Sequence, residues 1–309
     1  MVDRQETGAG ATAQADLALV VVAYQSEQWL VRCIRSLAEN AVFCSLVDNS
    51  GISESLKDQL EACHPNLRIE PFQGNLGFVR GINFAVTKLR KRSFAILGLV
   101  NPDTWFEPGW ADGVRRAFAQ YPDFGILAPL QFTYEDGATL AGWSKIALGV
   151  SCVADLVGKP VPIAVPLVEG SALFVRKEIV DDLGVHSPVF DMYYGDYDLC
   201  RRVRRAGWKI GVVPSIRYHH AVSASSGGST SPVRRLRLDL GRILYLATDP
   251  TCSQARNAIE VVRFFYHTGK AWLRGGYPLY PNLVLQGLRD LFSKRSLIAE
   301  KWRRERNLG

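Results

Sequence analysis

The segment Leu17–Ala23, LALVVVA, is an uninterrupted apolar run near the start of the 309-residue chain. Such a run is typical of a strand buried on both faces of a parallel sheet, because no polar residues alternate with the apolar ones. Three further runs, at 43–47, 67–71 and 94–100, follow it, and helical patterns fill the intervals. This β-α-β-α-β-α-β series predicts an α/β fold with a doubly wound, mostly parallel sheet and helices on both faces.

Polar residues directly follow three of these predicted strands. Tyr24 comes after the first strand, Asp48 after the second, and Asn101 and Asp103 after the fourth. Ligands of doubly wound sheets bind beyond the carboxyl ends of the strands. We therefore expect these side chains to converge on one crevice.

The composition excludes several classes of protein. Six cysteines are scattered without CxxC spacing, which argues against a zinc ribbon or a disulfide scaffold and favours a reducing cytoplasm. Residues 1–16 lack the basic and apolar regions of a signal peptide, and their Ala, Gly, Thr and Gln content predicts a disordered lead-in. No apolar run reaches about 18 residues, so no membrane span is predicted.

The C-terminal third is strongly basic. From Arg201 onward the sequence has 21 Lys and Arg residues against 6 Asp and Glu, which predicts an anionic partner. Three helical patterns, at 233–248, 252–274 and 282–306, predict a helical extension over 232–309. Its apolar and basic side chains predict peripheral contact with an anionic membrane, at the cytoplasmic face. A homo-oligomer contact or a cap on the catalytic domain are the alternatives. Nucleic-acid binding is disfavoured, because no recognised binding module accompanies the charge.

Two aspartates at strand ends are candidates for donor or metal binding. Asp103, in Asn101-Pro102-Asp103, suits Mg²⁺ or Mn²⁺, which proteins hold with one or two carboxylates plus substrate phosphates. A capped turn is the alternative interpretation. Asp48 could contact a base or ribose, or it could close an Asx turn.

A short loop at residues 74–77 precedes the third predicted helix. It lacks the GxGxxG pattern and the P-loop lysine, so a dinucleotide or P-loop site is not indicated. The helix N-terminus behind Asn75 could still receive phosphate charge, with Arg80 in its first turn pointing at the same anion or at solvent.

The segment at 190–200, FDMYYGDYDLC, places acidic residues among aromatic ones. Aromatic neighbours raise the pKa of a carboxylate into the range useful for a general base, whereas the following RRVRR run lowers it. Asp196 and Asp198 are the candidates, with helix capping as the structural alternative. His219 and His220 form the chain's single histidine pair, which predicts either a metal ligand beside an aspartate or a surface pair.

Taken in order, these segments resemble the family 2 glycosyltransferases, especially their rhamnosyltransferase-like members. The resemblance covers about residues 17–225. The segments that carry it are VVVAYQSEQWLVRCIRSL, VDNSG, NLGFVRGIN, LVNPDTWFEP, EGSALFVRK, FDMYYGDYDLCRRVRRAGW and the histidine pair with Ser223.

The resemblance implies a GT-A catalytic domain at 17–231 and a role for each matching position. The donor-binding residues it implies are Ala23, Tyr24, Asp48, Asn75, Arg80, Asn101 and Asp103. The metal ligands it implies are Asp103 with His219 or His220. Asp196 matches the catalytic base, and Gly170, Ser171 and Asp198 match the acceptor side.

The implied reaction is an inverting sugar transfer to a hydroxyl of a glycan or lipid-linked saccharide. Rhamnose from a dTDP donor is the first expectation, and a hexose from a UDP donor is the second. The sequence departs from the family at Gly195, where a glutamate usually precedes the base. A non-catalytic nucleotide-sugar or glycan-binding relative is therefore an alternative. A sugar nucleotidyltransferase is less favoured, because residues 24–27, YQSE, replace the Gly-rich basic loop expected after the first strand.

Overall fold

The computed structural model describes residues 16–39, 42–134, 137–221, 232–274 and 281–306. The predicted lead-in and the Ser/Gly-rich segment at 221–231 lie outside these ranges, apart from Asp16 and Ala221. The strands are β1 (Leu17–Ala23), β2 (Val42–Asp48), β3 (Leu67–Glu70), β4 (Ile96–Val100), β5 (Thr104–Phe106), β6 (Phe124–Thr133), β7 (Ile163–Ala164), β8 (Ala172–Arg176) and β9 (Lys209–His220). The helices are α1 (Glu27–Leu37), α2 (Glu54–Cys63), α3 (Phe78–Leu89), α4 (Trp110–Gln120), α5 (Gly142–Leu148), α6 (Lys177–Leu183), α7 (Gly195–Arg205), α8 (Pro232–Ala247), α9 (Gln254–Leu273), α10 (Pro281–Ser293) and α11 (Arg295–Arg306).

Within the described residues the strands form one sheet in the order β3-β2-β1-β4-β8-β6-β9-β5, with β7 also paired to β9. The first four strands are mutually parallel, as the apolar runs predict. Strand β8 is antiparallel to both β4 and β6, and β6 is parallel to β9. The predicted α/β sheet with helices on both faces is confirmed, and its second half is mixed.

Strand β1 shows why a continuous apolar run is needed at the centre of this sheet. Ala18, Val20 and Val22 belong to a core shared with α3 and α7, whereas Leu19 and Val21 belong to the opposite core with α1 and α4. Because helices cover both faces, every residue of β1 is buried. Burying such a side chain contributes about 1.5–3 kcal/mol.

The short strand β5 determines where the histidine pair lies. It begins directly after Asp103 and runs antiparallel to the end of β9, pairing Thr104 with His220 and Trp105 with His219. Neighbouring residues of a strand point to opposite faces, so the two histidines are turned away from each other.

The C-terminal helices are joined to α7 by a buried cluster of charges. The predicted helix at 282–306 is two helices, α10 and α11, and α11 packs against α7. The fully buried Asp198 carboxylate accepts hydrogen bonds from Arg201, Arg202 and Lys301 at 2.8–3.0 Å. Lys301 is also paired with the buried Glu305. These ion pairs offset part of the cost of burying the five charges.

Candidate active site

A pocket of about 600 Å³ lies between the carboxyl ends of β1 and β4 and the C-terminal helices. This is the edge of the sheet where doubly wound folds bind ligands. Its sheet side is lined by Val22, Tyr24, Asn49, Asn75, Gly77, Phe78, Asn101, Pro102, Glu169, Gly170 and Ser171. Its helical side is lined by His186, Asp191, Met192, Tyr193, Asp196, Leu236, Arg237, Leu240, Gly241, Leu244, Gln286 and Asp290.

Asp196 enters this pocket from the first turn of α7. Its Oδ2 accepts a hydrogen bond from the backbone N–H of Gly170 at 2.8 Å, and its Oδ1 accepts one from Tyr197 at 2.9 Å. Burial raises the pKa of Asp196 to about 6 against the lowering effect of these two donors, and the nearby Glu169 charge adds to the rise. A carboxylate in a fixed orientation with a pKa near neutrality suits a general base.

Two backbone features hold Asp196 in place. A Cβ at Gly170 would lie 3.1 Å from both the Cβ and the Oδ2 of Asp196, so the carboxylate rests directly on that peptide. Tyr194 precedes α7 with φ +68°, in the left-handed region that costs a non-glycine residue energy. Strained backbone of this kind persists where surrounding packing fixes it, and it clusters at functional sites.

Glu169 also lines the pocket, and sequence reasoning missed it. It directly precedes Gly170, and the neighbouring Ser171 carbonyl accepts a hydrogen bond from the Asn101 N–H at 2.8 Å. Burial raises the pKa of Glu169, opposed by the charges of His220 and Arg234. Its only sequence signal was its position at the start of the EGSALFVRK segment.

His220, rather than His219, approaches Asp103. The Nε2 of His220 lies 3.3 Å from Oδ1 of Asp103, and its Nδ1 lies 2.8 Å from Nε2 of Gln131. Burial alone would lower the pKa of His220, but the hydrogen bond and charge of Asp103 outweigh it and raise the pKa. His219 instead contacts Glu107 at 3.2 Å and stacks on Trp105. The structure therefore does not bring His219 to the predicted metal site.

The residues at Asp103 meet part of the requirement for a divalent ion. Among the residues that the structure describes, no three His, Cys, Asp or Glu side chains are grouped to hold a metal. Asp103 is 3% exposed and lies behind Pro102, which lines the pocket. The buried Oε1 of Gln131 has no partner. With the Gln131 amide reversed, its Oε1 would accept a hydrogen bond from Nδ1 of His220. The Nε2 of His220 would then be free to bind a metal ion. Asp103 and His220 supply one carboxylate and one imidazole, which are two of the ligands that Mg²⁺ or Mn²⁺ would need, and neither residue lines the pocket.

The predicted donor contacts separate into two groups. Tyr24, Asn75 and Asn101 line the pocket, together with Asn49, which the sequence did not single out. The Asn49 side chain joins β2 to the loop before α3, because its amide donates to the Gly77 carbonyl at 3.2 Å. The amide oxygen of Asn49 accepts in turn from the N–H of the residue before Gly77.

Ala23, Asp48, Arg80 and Asp103 do not line the pocket. Ala23 is fully buried in the core beneath α1, and Arg80 is exposed. The carboxylate of Asp48 accepts hydrogen bonds from the three backbone N–H groups of residues 50–52 at 2.8–3.0 Å. This is the Asx-type turn that was the alternative interpretation of Asp48.

Asp198 is also absent from the pocket, although it lies only two residues beyond Asp196. Its side chain is fully buried within the charge cluster of α7 and α11. Burial alone would raise the pKa of Asp198, but Arg202, Lys301 and Arg201 outweigh it and hold the pKa well below its usual range. The structure thus gives Asp198 a structural position in place of the predicted acceptor-side one.

The chain belongs to the glycosyltransferase like family 2, whose family model matches residues 14–237. An N-acetylglucosaminyl-diphospho-decaprenol L-rhamnosyltransferase of Mycobacterium tuberculosis is 26% identical over 240 residues, covering 68% of this chain and 78% of that protein. The low-salt glycan biosynthesis hexosyltransferase Agl10 of Haloferax volcanii is 24% identical over 208 residues, covering 63% of this chain and 64% of Agl10. The chain thus spans slightly less than two-thirds of Agl10.

Solved structures show the same fold. GalNAc-T7 with UDP, GalNAc and Mn²⁺ has a TM-score of 0.56 at 14% identity, over 77% of this chain and 48% of that one, so the match spans about half of GalNAc-T7. The mannosyltransferase PcManGT from Pyrobaculum calidifontis, in complex with GDP-Man and Mn²⁺, has a TM-score of 0.54 at 13% identity, over 92% of this chain and 76% of that one. The predicted GT-A fold is confirmed.

Proposed function

We propose that this chain is an inverting glycosyltransferase that moves a sugar from a nucleoside diphosphate to a hydroxyl of a glycan or lipid-linked saccharide. The observation that carries the proposal is Asp196, a fixed carboxylate of raised pKa that faces the pocket at the carboxyl ends of the strands. The 26% identical rhamnosyltransferase supports dTDP-rhamnose as the first donor to test. The hexosyltransferase relative supports UDP-hexoses as the second.

In the proposed mechanism Asp196 accepts the proton of the acceptor hydroxyl. The freed oxygen attacks the anomeric carbon from the face opposite the diphosphate, the bond to the diphosphate breaks, and the configuration inverts. We place the nucleoside against Tyr24, Asn49 and Asn75, because these side chains line the end of the pocket formed by β1, β2 and the loop before α3. The acceptor then enters from the side of Asp196.

Asp103 and His220 would hold a Mg²⁺ or Mn²⁺ ion. When bound, the ion supplies positive charge that offsets the negative charge growing on the departing diphosphate. Since Nε2 of His220 lies against Oδ1 of Asp103, the ion competes with a proton shared by the pair. Metal and donor affinity should therefore fall as the pH drops through the raised pKa of His220.

The test is nucleoside diphosphate release from dTDP-rhamnose and UDP-hexoses, with and without Mn²⁺. Asp196→Asn should lose roughly 10²–10⁴-fold in rate with donor affinity retained, because general-base assistance is worth that much. His220→Gln should weaken Mn²⁺-dependent donor binding. His219→Gln is the matched control, since His219 faces away from Asp103. Saturable donor binding without turnover would indicate a non-catalytic binding protein, and full activity of Asp196→Asn would refute the site.

We further propose that the C-terminal helices rest on an anionic membrane surface at its cytoplasmic face. Ile259, Val262 and Tyr266 of α9 are 54–66% exposed, and Leu288 and Phe292 of α10 are 53% and 70% exposed. Exposed basic side chains flank them, namely Arg256, Arg263, Lys270, Arg274 and Arg289. None of the described helices combines the length and apolarity that crossing a bilayer requires. Apolar side chains beside basic ones are the pattern of interfacial helices.

Liposome flotation tests this proposal without removing any helix that lines the pocket. Leu288→Glu combined with Phe292→Glu should abolish flotation with vesicles that contain phosphatidylglycerol, and unchanged flotation would contradict the proposal. Ile146→Glu is the matched control, because Ile146 is 85% exposed on α5, outside the C-terminal helices. Concentration-dependent dimerisation lost in the double variant would indicate an oligomer contact instead.

A further inference from the structure

The chain lacks a side chain at position 195, where the resemblance described above implies a second carboxylate. Gly195 stands directly before Asp196, and a Cβ built there would lie 2.9 Å from Nδ1 of His186. Real side chains essentially never approach so closely, so His186 occupies the space that a glutamate at 195 would need. His186 is 7% exposed, and burial lowers its pKa to about 4, which keeps it neutral.

We propose that Glu169 supplies this missing carboxylate in the same pocket as Asp196, where it accepts a hydrogen bond from a hydroxyl of the acceptor sugar. The inference rests on the proposed transferase function. It assigns Glu169 to acceptor binding, next to the hydroxyl that Asp196 deprotonates.

The first support is geometric. Glu169 and Asp196 line the same pocket. The Oδ2 of Asp196 accepts a hydrogen bond from the backbone N–H of Gly170, the residue that directly follows Glu169. Since Gly170 has no side chain, nothing on it separates the two carboxylates. The next residue, Ser171, also lines the pocket, but its Oγ lies 2.7 Å from the hydroxyl of Tyr218 and is already partnered.

The second support is electrostatic. The charge of Glu169 contributes to the raised pKa of Asp196, which places the two groups within interaction range. The other titratable groups near Asp196 are Tyr194, Tyr197 and Cys200, whose own pKa values burial raises. They are neutral near pH 7, whereas the charge of Glu169 raises the pKa of Asp196. Burial raises the pKa of Glu169, and the charges of His220 and Arg234 act against that rise.

Glu169 also lies within electrostatic range of Asp103 and His220. It could therefore belong to the metal and donor side of the pocket. The two assignments make different kinetic predictions. An acceptor contact changes the acceptor KM and the rate, whereas a metal or donor contact changes Mn²⁺ and donor affinity.

The experiment compares the wild type, Glu169→Gln and Glu178→Gln, the last a matched control with an exposed carboxylate on α6. The probes are dTDP-rhamnose, Mn²⁺ and a short-chain N-acetylglucosaminyl-diphospho-lipid. Glu169→Gln should lower kcat/KM for the acceptor about 10–100-fold, as expected for one hydrogen bond to a charged group. Its donor KM should stay within about twofold of the wild type. The acid limb of its pH–rate profile should shift to lower pH, since Asp196 loses a neighbouring anion.

A measurement without ligand tests the Glu169 assignment even if the chosen donor and acceptor are not the natural substrates. Carbon-13 NMR titration of the aspartate carboxyls, with Asp196→Asn for assignment, should give a lower pKa for Asp196 in Glu169→Gln. An unchanged acceptor KM with an active wild type would overturn the Glu169 assignment alone. So would a selective loss of Mn²⁺ or donor affinity, or an unchanged Asp196 titration. A wild type that turns over no nucleotide sugar would contradict the proposed function instead.

Discussion

Replacing Asp196 by Asn should make the protein more stable while it removes transfer. The pKa of Asp196 is raised from its usual 3.8 to about 6 by burial, so the folded protein holds the proton more tightly than the unfolded chain does. The folded state therefore loses stability as the pH rises from about 4 to about 6. Above about pH 6 the loss is complete and no longer depends on pH. Linkage gives a cost of the order of 3 kcal/mol at neutral pH, which the uncharged asparagine avoids.

Urea unfolding at pH 4 and pH 7.5 measures this difference. The stabilisation by Asp196→Asn should be small at pH 4 and should approach about 3 kcal/mol at pH 7.5. It is reduced because the amide nitrogen cannot accept the hydrogen bond that one of the two backbone donors, Gly170 or Tyr197, makes to the carboxylate. Asp58→Asn, at an exposed position on α2, is the control and should show little change at either pH. Equal effects of Asp196→Asn at both pH values would refute the reasoning, because a buried carboxylate of normal pKa carries no pH-dependent cost.

Two further predictions separate structural from functional carboxylates. Lys301→Met should destabilise the protein by about 1–3 kcal/mol, because Asp198 keeps Arg201 and Arg202 while the buried Glu305 carboxylate loses its ammonium donor. Lys294→Met, whose carboxylate partner is exposed, should cost about 1 kcal/mol or less by the same urea measurement. Asp48→Ala should cost about 1–3 kcal/mol and leave donor affinity unchanged, because its carboxylate is occupied by three backbone N–H groups. Weaker donor binding at unchanged stability would instead make Asp48 a donor contact.

The parallel half of the sheet could be predicted because its signals are local. The predicted bounds of β1 coincide with the observed strand, since burial on both faces leaves a continuous apolar run. Strand β6 was not predicted, because Gly125 and Pro129 interrupt its pattern. Its pairing with β8 and β9, with a register shift after Pro129, is set by residues far away in sequence.

The sequence predicted candidate residues for the site, but it did not predict which way their side chains point. Asp196 and Asp198 looked equivalent in sequence, but residues i and i+2 of a helix point about 200° apart. Only one of them can face the pocket. His219 and His220 are separated in the same way by strand alternation. Which member of each pair faces the site depends on the packing of α7 and the pairing of β5 with β9, neither of which is visible in a short segment.

The buried cluster around Asp198 also bears on when the site can form during synthesis. Lys301 is made 103 residues after Asp198. At about 5–20 residues per second the ribosome needs roughly 5–20 s to cover that distance. During this interval Asp198 is paired with Arg201 and Arg202 on its own helix, and the ion pairs that join α7 to α11 are absent. A chain stalled on the ribosome before α11 should therefore form the sheet side of the pocket while α7, which carries the proposed base Asp196, lacks its ion pairs with α11.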